Sequence, residues 1–231
     1  MSDIISGEVE IDTYTPADIP DIQLWLDSAD ASTITQSAGA VSQWDDKSGE
    51  GHNATQPTGS LQPTTGTRTI NGLNVIDFSN DSLVIGVNAT QGNTIIALVS
   101  FDNLSNANFL FDGNDQYDRQ ILFNVNGAYA MFADDTISNG SIPQATTQIW
   151  MGEFNGSSSQ LIINGTTQLT GNPGSDNLAG LRIGARYNGV NPLDGVMGDF
   201  IIVDKIMTTT EKNQLGNFLA NKWGITWSDI T

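Results

Sequence analysis

The chain has 231 residues, with 26 acidic side chains against 8 basic ones, a formal net charge of −18, a single histidine and no cysteine. Without cysteine there are no disulfides and no thiolate metal sites. The basic residues are scattered singly from Lys47 to Lys222, so no stripe exists to neutralise phosphates, and nucleic acid is excluded as a partner.

The first five residues, Met1-Ser2-Asp3-Ile4-Ile5, lack the basic start and long apolar core of a signal peptide. No apolar run approaches the roughly 20 residues that span a bilayer, so membrane insertion is not expected. Residues 1–20 differ in character from the rest. Val9 to Tyr14 alternates apolar and polar side chains, and Pro16 and Pro20 then oppose helix formation, which predicts an extended N-terminal arm.

Residues 21–231 read as one domain. From Ile22 to about Thr208 short segments rich in Ile, Val, Leu and Phe recur: Ile70–Phe78, Asn93–Phe101, Asn108–Phe111, Gln120–Val125, Ala128–Ala133, Thr146–Phe154, Gln160–Asn164, Gly180–Arg186 and Val196–Val203. Asn-Gly pairs at 71–72, 126–127, 139–140, 155–156, 164–165 and 188–189 supply the positive φ angles that tight hairpins need. Strands at this spacing without intervening helices predict an all-β, antiparallel sandwich or barrel. One helix is expected near 208–223. Thr208 and Glu211 fit a capping box, Leu215, Phe218, Leu219 and Trp223 share a face, and Gly224 is a stop.

Five blocks carry a resemblance, in order. They are Leu24-Trp25-Leu26-Asp27-Ser28-Ala29-Asp30, Trp44–Gly49 running on to Ala54, Asn71–Phe78, Ile183-Gly184 through Asp194-Gly195, and Thr210-Glu211 through Trp223-Gly224. Together they resemble the laminin-G-like/concanavalin-A-like lectin-glucanase superfamily, in the form found in bacteriophage virion and bacterial surface proteins, over roughly residues 22–226. The resemblance implies a concanavalin-A-like jelly roll with the C-terminal helix packed on its flank. It also implies fold-defining roles for the tryptophans and aspartates of these blocks. Trp25, Trp44, Trp150 and Trp223 are therefore expected in the core, and Trp227, beyond the helix, is expected to be exposed.

Glucanases of this architecture resemble one another in a Glu-x-Asp-x-(x)-Glu strand that holds two carboxyls about 5–5.5 Å apart. Here the nearest match, Glu8-Val9-Glu10-Ile11-Asp12, precedes the sandwich, while Glu50, Glu153 and Glu211 lie in separate segments. The lone His52 has no nucleophile elbow to serve and too few companions for zinc. No enzymatic activity is expected.

Two loops are candidate sites. Asp112, Asn114, Asp115 and Asp118 place oxygen ligands within seven residues and make calcium a candidate cofactor, with Asp134 or Asp135 as added ligands. Arg186, Tyr187, Asn188, Asn191 and Asp194 combine a stacking ring with hydrogen-bonding groups, as a carbohydrate site would. Two functions follow from the resemblance. The leading expectation is a structural virion component, a capsid decoration or tail accessory protein, docking on other virion proteins or on itself through the arm. The alternative is a carbohydrate-binding adhesin for cell-surface glycans. Either places the protein on a virion surface or outside the cell. Calcium in the Asp112–Asp118 loop predicts a higher melting temperature when excess calcium is added to chelated protein; no shift at millimolar calcium would remove that site.

Overall fold

Alternation of apolar and turn-forming residues folds Tyr14 to Thr231, the residues described by the computed structural model, into strands closed by one α-helix. The alternation from Val9 to Thr13 and the Glu8–Asp12 segment lie outside the described residues. The first strands are β1 (Ile22–Asp27), β2 (Ile34–Ser37), β3 (Ala40–Trp44), β4 (Ala54–Thr55), β5 (Thr64–Ile70) and β6 (Leu73–Ser79). Next come β7 (Leu83–Ala89), β8 (Asn93–Phe101), β9 (Asn108–Asp112), β10 (Ile121–Val125), β11 (Ala128–Phe132) and β12 (Thr136–Asn139). The last are β13 (Gln148–Phe154), β14 (Ser159–Ile163), β15 (Thr166–Gly171), β16 (Leu178–Ile183) and β17 (Asp194–Val203), before helix α1 (Thr209–Trp223).

Every strand pairing among the described residues is antiparallel, and the strands form two layers. The first runs β15-β14-β13-β8-β17, with β6 and β1 sharing the far edge of β17. The second runs β12-β11-β10-β9-β16-β7-β4-β3-β2. β5 pairs with both β3 and β6 and so links the layers on one side. The all-β sandwich with a C-terminal helix is the architecture expected. Between the layers lies the main core, where Phe111 meets Phe200 edge-on at 5.4 Å and Trp150 packs against Phe101 and Tyr129. Trp44 and Trp150 are fully buried there.

A second core covers the outer face of the first layer. Leu215, Leu219, Ala220 and Trp223 of α1 pack on Ile96, Leu98, Ile149, Met151 and Ile201. The helix is capped as its sequence predicts. Thr208 Oγ1 accepts from Glu211 N, Glu211 Oε2 accepts from Thr208 N at 2.8 Å, and Gly224 ends the helix at φ 67°. Gly198 lets Trp223 approach β17, where a Cβ would come within 2.7 Å of the indole.

A buried polar node ties these parts together. β17 carries a bulge between Met197 and Phe200, which lets both side chains face the main core and turns Asp199 toward α1. At this bulge β17 exchanges its partner, from β6 up to Met197 to β1 from Asp199 onward. Asp199 accepts hydrogen bonds from Trp25 Nε1 at 2.9 Å, Trp223 Nε1 at 2.6 Å and Lys222 Nζ at 2.9 Å. Lys222 also reaches Asp27 at 2.6 Å, and Lys47 joins Asp27 to Asp30. Burial pushes the Asp199 carboxyl above its ordinary value, and the Lys222 ammonium opposes that shift.

Several expectations change. Ile70–Phe78 is not one strand. Asn71 and Gly72, at φ 50° and 75°, make it a hairpin between β5 and β6. β7 was hidden by Gly86 and Asn88, which occupy its outward positions. Pro16 starts a single 3₁₀ turn, Pro16–Asp18, instead of holding the chain extended; proline is well tolerated at a first helical position, and Asp18 closes the cap on Thr15. Trp227 is buried rather than exposed. The chain after α1 turns back, so that its indole covers Gly216 and donates to Asn213 Oδ1 at 3.2 Å.

Lys222→Met should leave the buried Asp199 without a cation and Asp27 with Lys47 alone, and lower unfolding free energy by about 3–5 kcal/mol. Thr208→Ala, which removes only a cap, should cost about 1 kcal/mol. Urea denaturation of both variants measures the contrast, and equal effects would show that the node is not the stronger constraint.

Candidate functional site

The outer face of the second layer is not covered by a helix. Phe109 and Phe123 stack there with centroids 4.9 Å apart, joined by Ile121, Ala130 and the partly buried Phe132. The loop from Gly184 to Leu193, between β16 and β17, is fastened to this layer by backbone bonds. Gly184 N donates to Leu110 O, Phe109 N donates to Asn191 O, and Leu193 N closes the loop on Gly184 O. A small turn within it, Arg186 N to Val190 O and Gly189 N to Arg186 O, exposes Asn188, Gly189 and Val190 at the tip.

The structure divides the expected sugar-binding residues between the two ends of this loop. Asn191 and Asp194 line an open pocket of about 250 Å³ with Asn103, Asn106, Ala107, Asn108 and Pro192. Asn108 is spent on structure: its amide donates to Asn103 O and Asn106 O, and its carbonyl accepts from Asp194 N. The Asn106 and Asn191 side-chain amides and the Asp194 carboxylate make no hydrogen bond among the described residues, so they are available to a ligand's hydroxyls. Asn103, Asn106 and Asn108 were not singled out in the sequence. The amide-rich run Asn103-Leu104-Ser105-Asn106-Ala107-Asn108 was the signal.

Arg186 and Tyr187 instead meet residues of the other candidate loop. Asp112 is fully buried and pairs side-on with Arg119, Nε to Oδ1 at 2.9 Å and Nη2 to Oδ2 at 2.7 Å. Its Oδ2 also accepts from Tyr187 N at 2.8 Å. Burial pushes the Asp112 carboxyl up, while the hydrogen bond from Arg119 pulls it down. Arg119 lies over the rings of Phe132 and Tyr187, 5.1 and 4.7 Å from their centroids, and Arg186 lies 5.3 Å from the Tyr187 ring. Asn114, Asp115 and Asp118 are exposed, and Asp115 is engaged with Tyr117 N in its own turn. Thus Asp112 faces a guanidinium, not its three neighbours in the expected calcium loop. No group of three His, Cys, Asp or Glu side chains is placed to hold a metal ion among the described residues.

A larger depression of about 770 Å³ lies along α1, between Tyr14 and Lys222. It begins at the first described residue, and two of its amides, Asn213 and Asn217, hold the C-terminal segment through Ile230 and Asp229. The smaller pocket, lined by the loop that the sequence singled out, is the candidate site. The glutamates lie apart: Glu153 is buried against Lys212, Glu211 caps α1, and Glu50 is exposed. No helix among the described residues is long and apolar enough to cross a membrane.

No protein-family model matches the chain, and no curated protein matches it. Solved structures do. Domain 4 of AbnA, a GH43 extracellular arabinanase from Geobacillus stearothermophilus in complex with arabinotriose, superposes with a TM-score of 0.64 at 11% identity, covering 85% of this chain and 97% of that one. Trypanosoma rangeli sialidase in complex with sialic acid gives 0.61 at 14% identity, covering 91% of this chain but 34% of the sialidase. The botulinum neurotoxin serotype D ligand binding domain in complex with N-acetylneuraminic acid gives 0.59 at 15% identity, over 89% of this chain and 54% of that one. At these identities the likeness is one of fold, an antiparallel β-sandwich.

Asp112→Asn should leave the buried Arg119 without its counter-charge and destabilise the protein by about 3–5 kcal/mol. Asp115→Asn and Asp118→Asn, at exposed positions, should stay within about 0.5 kcal/mol. Thermal or urea unfolding of the three variants in chelator tests this ordering, and equal small effects would mean that Asp112 does not neutralise Arg119.

Proposed function

We propose that this chain is a non-catalytic carbohydrate-binding module, with the Asn106–Asn191–Asp194 pocket as its sugar site. The observation that carries this reading is the set of unspent amides and a carboxylate converging on one open pocket. Sugar hydroxyls each offer a donor and an acceptor, and side-chain amides answer both. At about 250 Å³ the pocket is below the roughly 300–1,000 Å³ of sites for larger ligands. It suits a single sugar ring, with the rest of the glycan lying on the surface. The structures that share the fold include complexes with arabinotriose and with sialic acid, which supports the class of ligand by analogy.

Absence of catalysis belongs to the same proposal. The three glutamates among the described residues are separated, and Asp194 is the one carboxyl these residues bring to the pocket. Docking on virion proteins or on itself through the N-terminal arm, residues 1–20, draws mainly on residues 1–13, outside the described part; of the rest, Tyr14 and Ile19 pack against the second core. An extracellular or particle-borne setting would suit glycan recognition, and it too stands as a proposal.

Glycan-array binding of the wild type against Asn106→Ala and Asn191→Gly tests the site. Glycine accepts the φ of 50° at position 191 while removing the amide. Each variant should keep its melting temperature and lose about tenfold or more in affinity for the wild type's best glycan. A blank array with folded wild type, or variants that bind undiminished, would overturn the reading.

A further inference from the structure

Six of the eight basic side chains are ion-paired with carboxylates: Lys47, Arg68, Arg119, Lys205, Lys212 and Lys222. Arg182 donates to Tyr187 O and to Ser82 Oγ. Arg186 differs from all of these. Among the described residues it has no ion pair and no side-chain hydrogen bond, although the protein carries 26 acidic residues. Its Nε is buried without a partner, whereas the residue as a whole reaches the surface beside exposed Asn188 and Val190. A buried donor left without an acceptor is costly, and water at the outer edge of the guanidinium does not satisfy the inner nitrogen. Tyr14, Trp44, Asn93 and Glu153 also carry buried polar atoms without a hydrogen bond; Trp44 and Asn93 are sealed from solvent, Glu153 is ion-paired with Lys212, and the uncharged Tyr14 hydroxyl lies beside the depression along α1.

Arg119, a few ångströms away across the Tyr187 ring, shows how such a group is satisfied. There a carboxylate lies side-on and takes Nε and Nη2 together. Arg186 has no such partner, and its outer nitrogens, unlike the buried Nε, reach the surface where an anion can meet them; Tyr187 steadies its plane. The loop that holds Arg186 also carries Asn191 and Asp194 to the sugar pocket.

We infer that the glycan is acidic, with its anionic group paired to the surface-reaching nitrogens of the Arg186 guanidinium while a neutral ring occupies the Asn106–Asn191 pocket. This rests on the sugar-binding reading and specifies its ligand class. The protein's overall negative charge gives an anion no general reason to approach, so recognition depends on this one cation.

The test presents the full chain with glucuronate-ended, sialic acid-ended and sulfated oligosaccharides, each beside its carboxyl-reduced or desulfated counterpart, and with neutral arabino- and gluco-oligosaccharides. Wild type should bind at least one acidic series tenfold or more tightly than its neutralised counterpart. The carboxylated and sulfated arms identify which anion is read. Arg186→Gln should erase that preference while leaving binding to the neutralised counterpart unchanged. The wild-type comparison needs no variant, so it stands even where Arg186→Gln misfolds. Equal binding of acidic and neutralised glycans overturns the inference and leaves the sugar-binding reading intact, as does an acidic preference that survives in folded Arg186→Gln. Binding to no glycan at all overturns both.

Discussion

The fully buried carboxylate of Asp199 is the constraint around which the described residues are organised. Removing a carboxylate from water costs several kcal/mol, and only an exact complement of donors offsets it. Here the donors come from both ends of the chain: Trp25 from the first strand, Lys222 and Trp223 from the helix. A rotation of α1 or a slip of β1 would leave the charge unsatisfied. The bulge at Gly198-Asp199 is what delivers the carboxylate to the helix side while Met197 and Phe200 keep filling the main core. The node thus sets helix position, strand register and exchange of strand partners together.

That arrangement also separates stability from recognition. The outer face of the first layer is consumed by α1 and by Trp227, which doubles back over Gly216. The second layer has no helix on its outer face among the described residues; the loop from Gly184 to Leu193 is fastened to it and Arg119 lies over Phe132. Scarce cations follow the same division. Four of them, Lys47, Lys205, Lys212 and Lys222, hold the helix and the N-terminal strand in place, and Arg119 neutralises Asp112 under the exposed loop. Arg186 is left over, at the loop's edge.

The legible parts of the fold were those coded locally. Asn126-Gly127 and Asn164-Gly165 make the hairpins they announce because both residues of each pair tolerate positive φ. Thr208, Glu211 and Gly224 bound the helix through their own hydrogen bonds and dihedrals. β7 was missed because its solvent-facing glycine and asparagine look like turn residues until the inward positions are known. The site was half legible. The loop holding Asn191 and Asp194 stood out, but Asn106 is more than 80 residues away in the chain and joins it only because β9 pairs with β16.

By itself the sequence determined the class of fold, the hairpins at Asn126-Gly127 and Asn164-Gly165, the helix and its caps, and the exclusion of thiol chemistry. These follow from composition, from period-two alternation and from dihedral preferences that act over a few residues. Tertiary structure alone decided that Asp112 meets Arg119, that Trp227 is buried, and that Arg186 forms no ion pair among the described residues. Each of those depends on which distant strands become neighbours, and burial changes the strength of a charge interaction more than the identity of the charge does.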